Sequence, residues 1–241
     1  MSFSSTNLLY FLFVVPPMFV VAHFLTRLTK KDNHKGVILV LSGALFFVRI
    51  ILVVFADTIG TMPYIKPEVV FYGILTAFGV FYSVYMVKHV EKRTLASFGW
   101  KTTILWKSIL IGVLSILPLF AFLPIIVFTT GLEVLSAITW EKVFIAVCFG
   151  FILGGFYEEV LFRGIIQYHA SQITTKYRTI GLTALIFVAT HIGYLPFDAF
   201  GIYYMFLFIM ALELSFLRAR FNSVACCVLH GGIVFILVLL V

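Results

Sequence analysis

Residues 157–164 read Tyr-Glu-Glu-Val-Leu-Phe-Arg-Gly and set two adjacent carboxylates and an arginine in a stretch that is otherwise apolar. A charge at the centre of a bilayer costs at least ~3 kcal/mol on insertion scales, so an intramembrane ionisable group with a partner in reach marks a functional site. On a helix, Glu159 and Arg163 stand four residues apart with the acid first, the favourable order for an ion pair on one face. Glu158 points about 100° away around the same helix. The spacing therefore predicts one carboxylate clamped by Arg163 and a second, Glu158, left without an arginine and available as a general base.

Two histidines follow in later apolar runs, His191 in Phe-Val-Ala-Thr-His and His230 in Val-Leu-His-Gly-Gly. At a rise of 1.5 Å per residue, His191, Glu159 and His230 lie roughly 16, 15 and 10 Å from the basic ends of their helices, a similar depth on three elements. Such a set supports two chemistries. Glu158, His191 and His230 could hold Zn²⁺ with an open position for water. Alternatively, Glu158 and His191 could activate a water directly while His230 stabilises the developing oxyanion. Either arrangement hydrolyses an acyl bond, and no H-E-x-x-H motif is present to favour the metal.

The elements that must position these groups are membrane helices. The 241-residue chain is 62% hydrophobic and 11% charged, with mean hydropathy +1.13. A soluble domain is roughly half apolar and a quarter charged. Apolar runs of about 20 residues cross the hydrocarbon core as helices. Eight are expected: Leu8 to Leu28, Val37 to Ala56, Val69 to Val87, Ser108 to Phe128, Val143 to His169, Ile180 to Leu195, Phe200 to Leu217 and Ser223 to Val241. The expected fold is all-α, a polytopic membrane protein forming one membrane domain over 1–241, with the chemistry in 143–241.

Basic residues are divided unevenly among the connections. Alternate loops hold Arg27, Lys30, Lys31 and Lys35, then Lys88, Lys92, Arg93, Lys101 and Lys107, then Lys176 and Arg178, then Arg218 and Arg220; the intervening ones hold Lys66 and Lys142. Cytoplasmic loops retain positive charge, so both termini are expected outside. The net charge of +7 is spread over these short loops, which suits anionic lipid and argues against nucleic acid. The first run, with Pro16-Pro17 and no basic residue before it, reads as an uncleaved helix rather than a secretory signal. Cys148, Cys226 and Cys227 fall in apolar runs without a C-x-x-C pair, so neither a disulfide framework nor a thiolate zinc site is expected. Trp100 and Trp106 are expected as headgroup anchors in the polar connection 88–107, and Gly150, Gly154 and Gly155 as a helix-contact face. Glu213 reads as structural, and Arg49 is divided between structural pairing and a place in the cavity.

Glu158-Glu159-x-x-x-Arg163, then Phe187-x-x-x-His191, then His230 in the final run together resemble the successive motifs of the CPBP intramembrane proteases. That family includes CAAX prenyl endopeptidases and bacterial Abi-type bacteriocin-immunity and peptide-processing proteins. The resemblance covers about 154–234, with a weaker similarity over Leu95 to Trp106. It implies helices around a water-accessible cavity, with Glu158 as base, His191 polarising the water, Glu159 held by Arg163, and His230 supporting the transition state. The family has been described both as metal-dependent and as metal-free. Many members carry Asn four residues after the last histidine, whereas this chain has Val234, which removes one oxyanion donor. Asn222 sits too near the end of that run to replace it.

The expectation is thus an endopeptidase acting on a membrane-associated, hydrophobic or lipidated peptide near the cytoplasmic face of a bacterial membrane. Two other readings use the same residues: a non-catalytic immunity or scaffold protein, and a proton-coupled transporter relaying through Glu158, Glu159 and Arg163.

Overall fold

The computed structural model describes residues 5–59, 66–100, 103–122, 124–125, 138–192 and 200–240. Among them every regular element is helical: α1 (Ser5–Thr29), α2 (His34–Ile59), α3 (Lys66–Tyr85, prolonged by a π turn to Val90), a 3₁₀ turn Leu95–Phe98, α4 (Leu105–Phe120), α5 (Trp140–Ile173), α6 (Lys176–Ala189), α7 (Phe200–Arg220) and α8 (Ser223–Leu240). The chain is an all-α integral membrane protein. Helices long and apolar enough to cross a bilayer are Gly73–Val90, Trp140–Ile173, Gly201–Arg220 and Ser223–Leu240, with Leu105–Phe120 a shorter apolar helix. The segments expected at Leu8 to Leu28 and Val37 to Ala56 lie within α1 and α2, and half of the expected run beyond Phe120 is outside the described residues.

Side chains that compete with the backbone for hydrogen bonds fix where helices begin. Asn33 Oδ1 accepts from the Gly36 amide at 2.9 Å, Thr139 Oγ1 from the Lys142 amide at 3.3 Å, and Asn222 Oδ1 from the Ala225 amide at 3.0 Å. The same competition ends α6. Thr190 Oγ1 and His191 Nδ1 both bond the Phe187 carbonyl, at 2.8 and 2.7 Å, and the helix stops at Ala189. Within the run expected as one span from Ile180 to Leu195, the 14-residue helix Lys176–Ala189 ends and a turn carries His191, while 193–195 lie outside the described residues.

The long α5 forms the centre. From Cys148 to Glu158 and again from Val160 to Ile166 its turns are π-helical, a widened form that is rare and concentrates at functional sites. α8 packs along its N-terminal half and against α4, α3 lies against the widened turns, α2 meets its C-terminal end, and α6 pairs with α7. Small residues permit the α5–α8 approach, as expected from the glycine spacing. A Cβ on Gly150 would stand 2.6 Å from the Gly231 carbonyl oxygen, and one on Gly155 would stand 2.9 Å from that of Cys227. In lipid, where apolar association gains little from excluding water, such close packing holds helices together. Trp106, Tyr177 and Trp140 lie exposed at helix ends.

The four connections rich in Lys and Arg meet at one end of the bundle. Thr29 Oγ1 bonds the Val90 carbonyl at 3.3 Å, His169 joins His34 and Glu91, and the Ser223 amide donates to the Gly99 carbonyl at 3.0 Å. The stretch Leu95 to Trp100 docks on this end instead of floating in headgroups. Phe98 is fully buried, Ser223 Oγ bonds its carbonyl at 2.6 Å, and Trp100 packs edge-on against Phe156 at 4.9 Å. Trp100 is thus a packing residue, contrary to its expected role as an anchor, because the preceding turn folds it back onto α5. That turn requires Gly99, at φ +86°, where a Cβ would lie 2.9 Å from the Arg218 guanidinium carbon. Gly99→Ala is expected to cost about 1–2 kcal/mol from the left-handed backbone alone. Thermal unfolding in detergent checks it, and an unchanged midpoint contradicts this role for the turn.

Candidate active site

Glu158, Glu159 and Arg163 lie on α5, His191 just past α6, and His230 on α8; the fold brings all five together. Glu159 and Arg163 are completely buried and joined as the helix spacing predicts, Arg163 Nη1 donating to Glu159 Oε1 at 3.0 Å. Arg163 Nη2 also donates to the Ala211 carbonyl at 3.3 Å, and its guanidinium lies 4.5 Å from the centre of the Phe187 ring. A buried pair of this kind is sustained only when further partners satisfy the charges.

The same oxygen, Glu159 Oε1, is 2.8 Å from His230 Nδ1. An ionised carboxylate only accepts, so Nδ1 carries the hydrogen and Nε2 becomes the nitrogen turned to the site. His191 is oriented likewise. A backbone carbonyl accepts its Nδ1–H at 2.7 Å, and the Tyr204 hydroxyl donates to the His191 carbonyl at 2.9 Å. The Phe187 ring lies between the two histidines, 4.3 Å from His191 and 5.5 Å from His230, centre to centre. Each imidazole is thus fixed in tautomer by a partner behind it and in position by one aromatic ring.

Both Nε2 atoms face Glu158. Its Oε2 is 3.9 Å from each, and among the described residues this buried oxygen has no hydrogen-bond partner. That separation is too long for a direct hydrogen bond and is the kind one water bridges. The Glu158 side chain retains 14% exposure, whereas Glu159 has none. Of the two acids, Glu158 is therefore the one whose side chain reaches open surface, while its Oε2 is itself enclosed beside the histidines.

One expectation is overturned. Glu158 was to be the acid without an arginine, but its Oε1 is ion-paired with Arg49 of α2. Helix spacing within α5 could not reveal a partner 109 residues away in sequence. The pair holds Oε1, so that Oε2 is the oxygen presented to His191 and His230. Arg49→Met is expected to lower turnover by about 10²-fold, the scale of losing one preorganised charge, with Arg49→Lys restoring only part because it lacks the planar fork. Equal turnover in wild type and Arg49→Met would remove Arg49 from the site.

As arranged, the residues do not fit a resident divalent metal. Among the described residues no group of His, Cys, Asp and Glu has ligand spacing, and a guanidinium already sits on the carboxylate that would bind the ion. Sequence reasoning singled out Phe187 only within a motif and gave no sign of Tyr204, one aromatic among many. Asn222 is confirmed as unavailable to replace an amide at Val234, because it caps α8 and bonds Ser108 Oγ at 2.5 Å. Glu213 of α7 is bonded to Ser115 of α4.

No curated protein and no solved structure matches the chain. A match is found with one family model, described as type II CAAX prenyl endopeptidase Rce1-like, over residues 139–236, the stretch that holds every site residue but Arg49. From α5 through most of α8, the chain is thus similar to the type II CAAX prenyl endopeptidase Rce1-like domain, consistent with the CPBP/CAAX protease family.

Proposed function

We propose that this protein is an intramembrane endopeptidase that hydrolyses a peptide bond of a lipidated or hydrophobic peptide near the basic, cytoplasmic end of the bundle, without a metal. The observation that carries the reading is Glu158 Oε2 at 3.9 Å from both His191 Nε2 and His230 Nε2. A water seated between Glu158 Oε2 and His191 Nε2 is polarised by His191 and gives a proton to Glu158 as its oxygen bonds to the scissile carbonyl carbon. His230, held by Glu159, in its protonated form donates to the resulting oxyanion from Nε2, and Arg49 supplies a second positive charge where Val234 offers no amide. The carbon–nitrogen bond then breaks, and the proton held by Glu158 passes to the departing amine.

The loop charges support a cytoplasmic location for the basic end, with both termini outside and eight crossings. Peptide processing of the Abi type in a bacterial membrane is favoured over prenyl-protein maturation, because the basic loops suit a bacterial cytoplasmic membrane. Reconstituted protein incubated with hydrophobic and prenylated peptides in H₂¹⁸O should yield fragments whose new carboxyl terminus carries ¹⁸O. Intact peptides throughout would favour the non-catalytic scaffold reading for which Val234 speaks. Exhaustive chelation, verified by elemental analysis, is expected to leave turnover unchanged; activity lost to chelation and restored by zinc would overturn the metal-free mechanism.

A further inference from the structure

Behind the site, on the side of Arg163 away from the substrate groups, a cavity of about 280 Å³ opens at the basic end of the bundle between the C-terminal ends of α5 and α7 and the start of α6. Three cationic side chains line it, Arg163, Lys176 and Arg218, and no carboxylate does. The nearest acid contact of Arg163 is Glu159, which engages Nη1 and not Nε.

The lining also holds polar atoms without partners. Arg163 Nε, Arg218 Nε, Thr179 Oγ1 and Gln167 Oε1 have no hydrogen bond among the described residues, although Arg163, Thr179 and Gln167 are all more than nine-tenths buried. Buried polar atoms of this kind carry a desolvation cost unless something satisfies them. Three of the four can donate. The first turn of α6 borders the same cavity, and its N-cap, Thr175, makes no side-chain capping bond, so amide donors and the positive end of the helix dipole face this region.

From this we infer a binding site for a phosphate group, distinct from the hydrolytic centre and accessible from the cytoplasmic headgroup layer. Lys176 and Arg218 neutralise its charge, Arg163 Nε, Thr179 and the α6 amides donate to its oxygens, and Gln167 Oε1 accepts a hydroxyl hydrogen on the phosphate or its ester. An anionic phospholipid headgroup and free inorganic phosphate share this chemistry. The depth at the membrane surface favours the lipid.

The full chain in neutral detergent separates the sources. Its thermal midpoint is followed against short-chain phosphatidylglycerol, inorganic phosphate and short-chain phosphatidylcholine. A saturable rise with phosphatidylglycerol alone assigns the site to a lipid headgroup, and a rise with phosphate as well assigns it to the phosphate group in general. No rise with either overturns the site. Lys176→Gln, an exposed position outside the hydrolytic groups, is expected to weaken the midpoint-derived affinity about fivefold, the effect of one surface cation on an anionic headgroup. Unchanged affinity in Lys176→Gln and in Thr179→Val would place binding elsewhere and overturn the proposal. Neither readout involves peptide cleavage, so a failure of the protease reading leaves this test intact.

Discussion

Glu158→Gln abolishes peptide cleavage while leaving the fold intact: this is the largest effect expected on activity. Glutamine has the same shape, and its amide oxygen can still accept from Arg49, so the α2–α5 contact survives. What is lost is the proton acceptor. The group facing His191 and His230 becomes an NH₂, which is a donor and cannot take a proton from water. General-base catalysis is worth about 10²–10⁴-fold, and here the same carboxylate also returns the proton to the leaving amine, so the loss should reach the upper end of that range. Single-turnover rates on a cleaved peptide, beside thermal unfolding of the same preparation, check it. Wild-type rates in the variant would end the assignment of Glu158 as base, whatever the role of the histidines.

Glu159→Ala carries the largest effect on stability. Arg163 has no exposure, so removing its partner strands a charge in the interior, for which the expected cost is about 3–5 kcal/mol. His230 loses the acceptor of its Nδ1 hydrogen in the same step, so the histidine is released as the helix is weakened. The double variant Glu159→Leu with Arg163→Met separates these two consequences. With both charges replaced by apolar groups of similar volume it should recover most of the stability and none of the activity, since His230 remains without its partner. A Glu159→Ala protein that unfolds at the wild-type temperature would contradict the buried-pair account.

The two predictions differ because the adjacent acids are held differently. Glu159 is enclosed, with one oxygen shared between Arg163 and His230, and acts by orienting others. Glu158 is partly exposed, with one oxygen tied by Arg49 and the other directed to the histidines. Adjacent positions on a helix face different neighbours, and that alone divides their work.

Much of this was legible in the chain. Charges in an apolar run are conspicuous because lipid makes them costly, which is why Glu158, Glu159, Arg163, His191 and His230 stood out. The Glu159–Arg163 pair followed from helix geometry, since both partners lie within one turn of the same element. The all-α membrane class followed from composition, and alternation of basic loops correctly grouped the connections that meet at one end.

Tertiary structure decided what depends on contacts between distant segments. Arg49 could be seen as a buried cation, but its choice of Glu158 is made by the packing of α2 against α5. The end of α6 at Ala189 was hidden because hydropathy continues past it, while the hydrogen bonds that stop it belong to Thr190 and His191. Trp100 looked like an interfacial aromatic until the turn at Gly99 folded it onto Phe156. The sequence by itself determined which groups are too costly to sit in lipid without a purpose, because that cost is a property of each residue and its immediate neighbours. Which oxygen of Glu158 faces which nitrogen, and which cation holds the other, was decided only by the fold, because those distances are set by helices that meet across the whole chain.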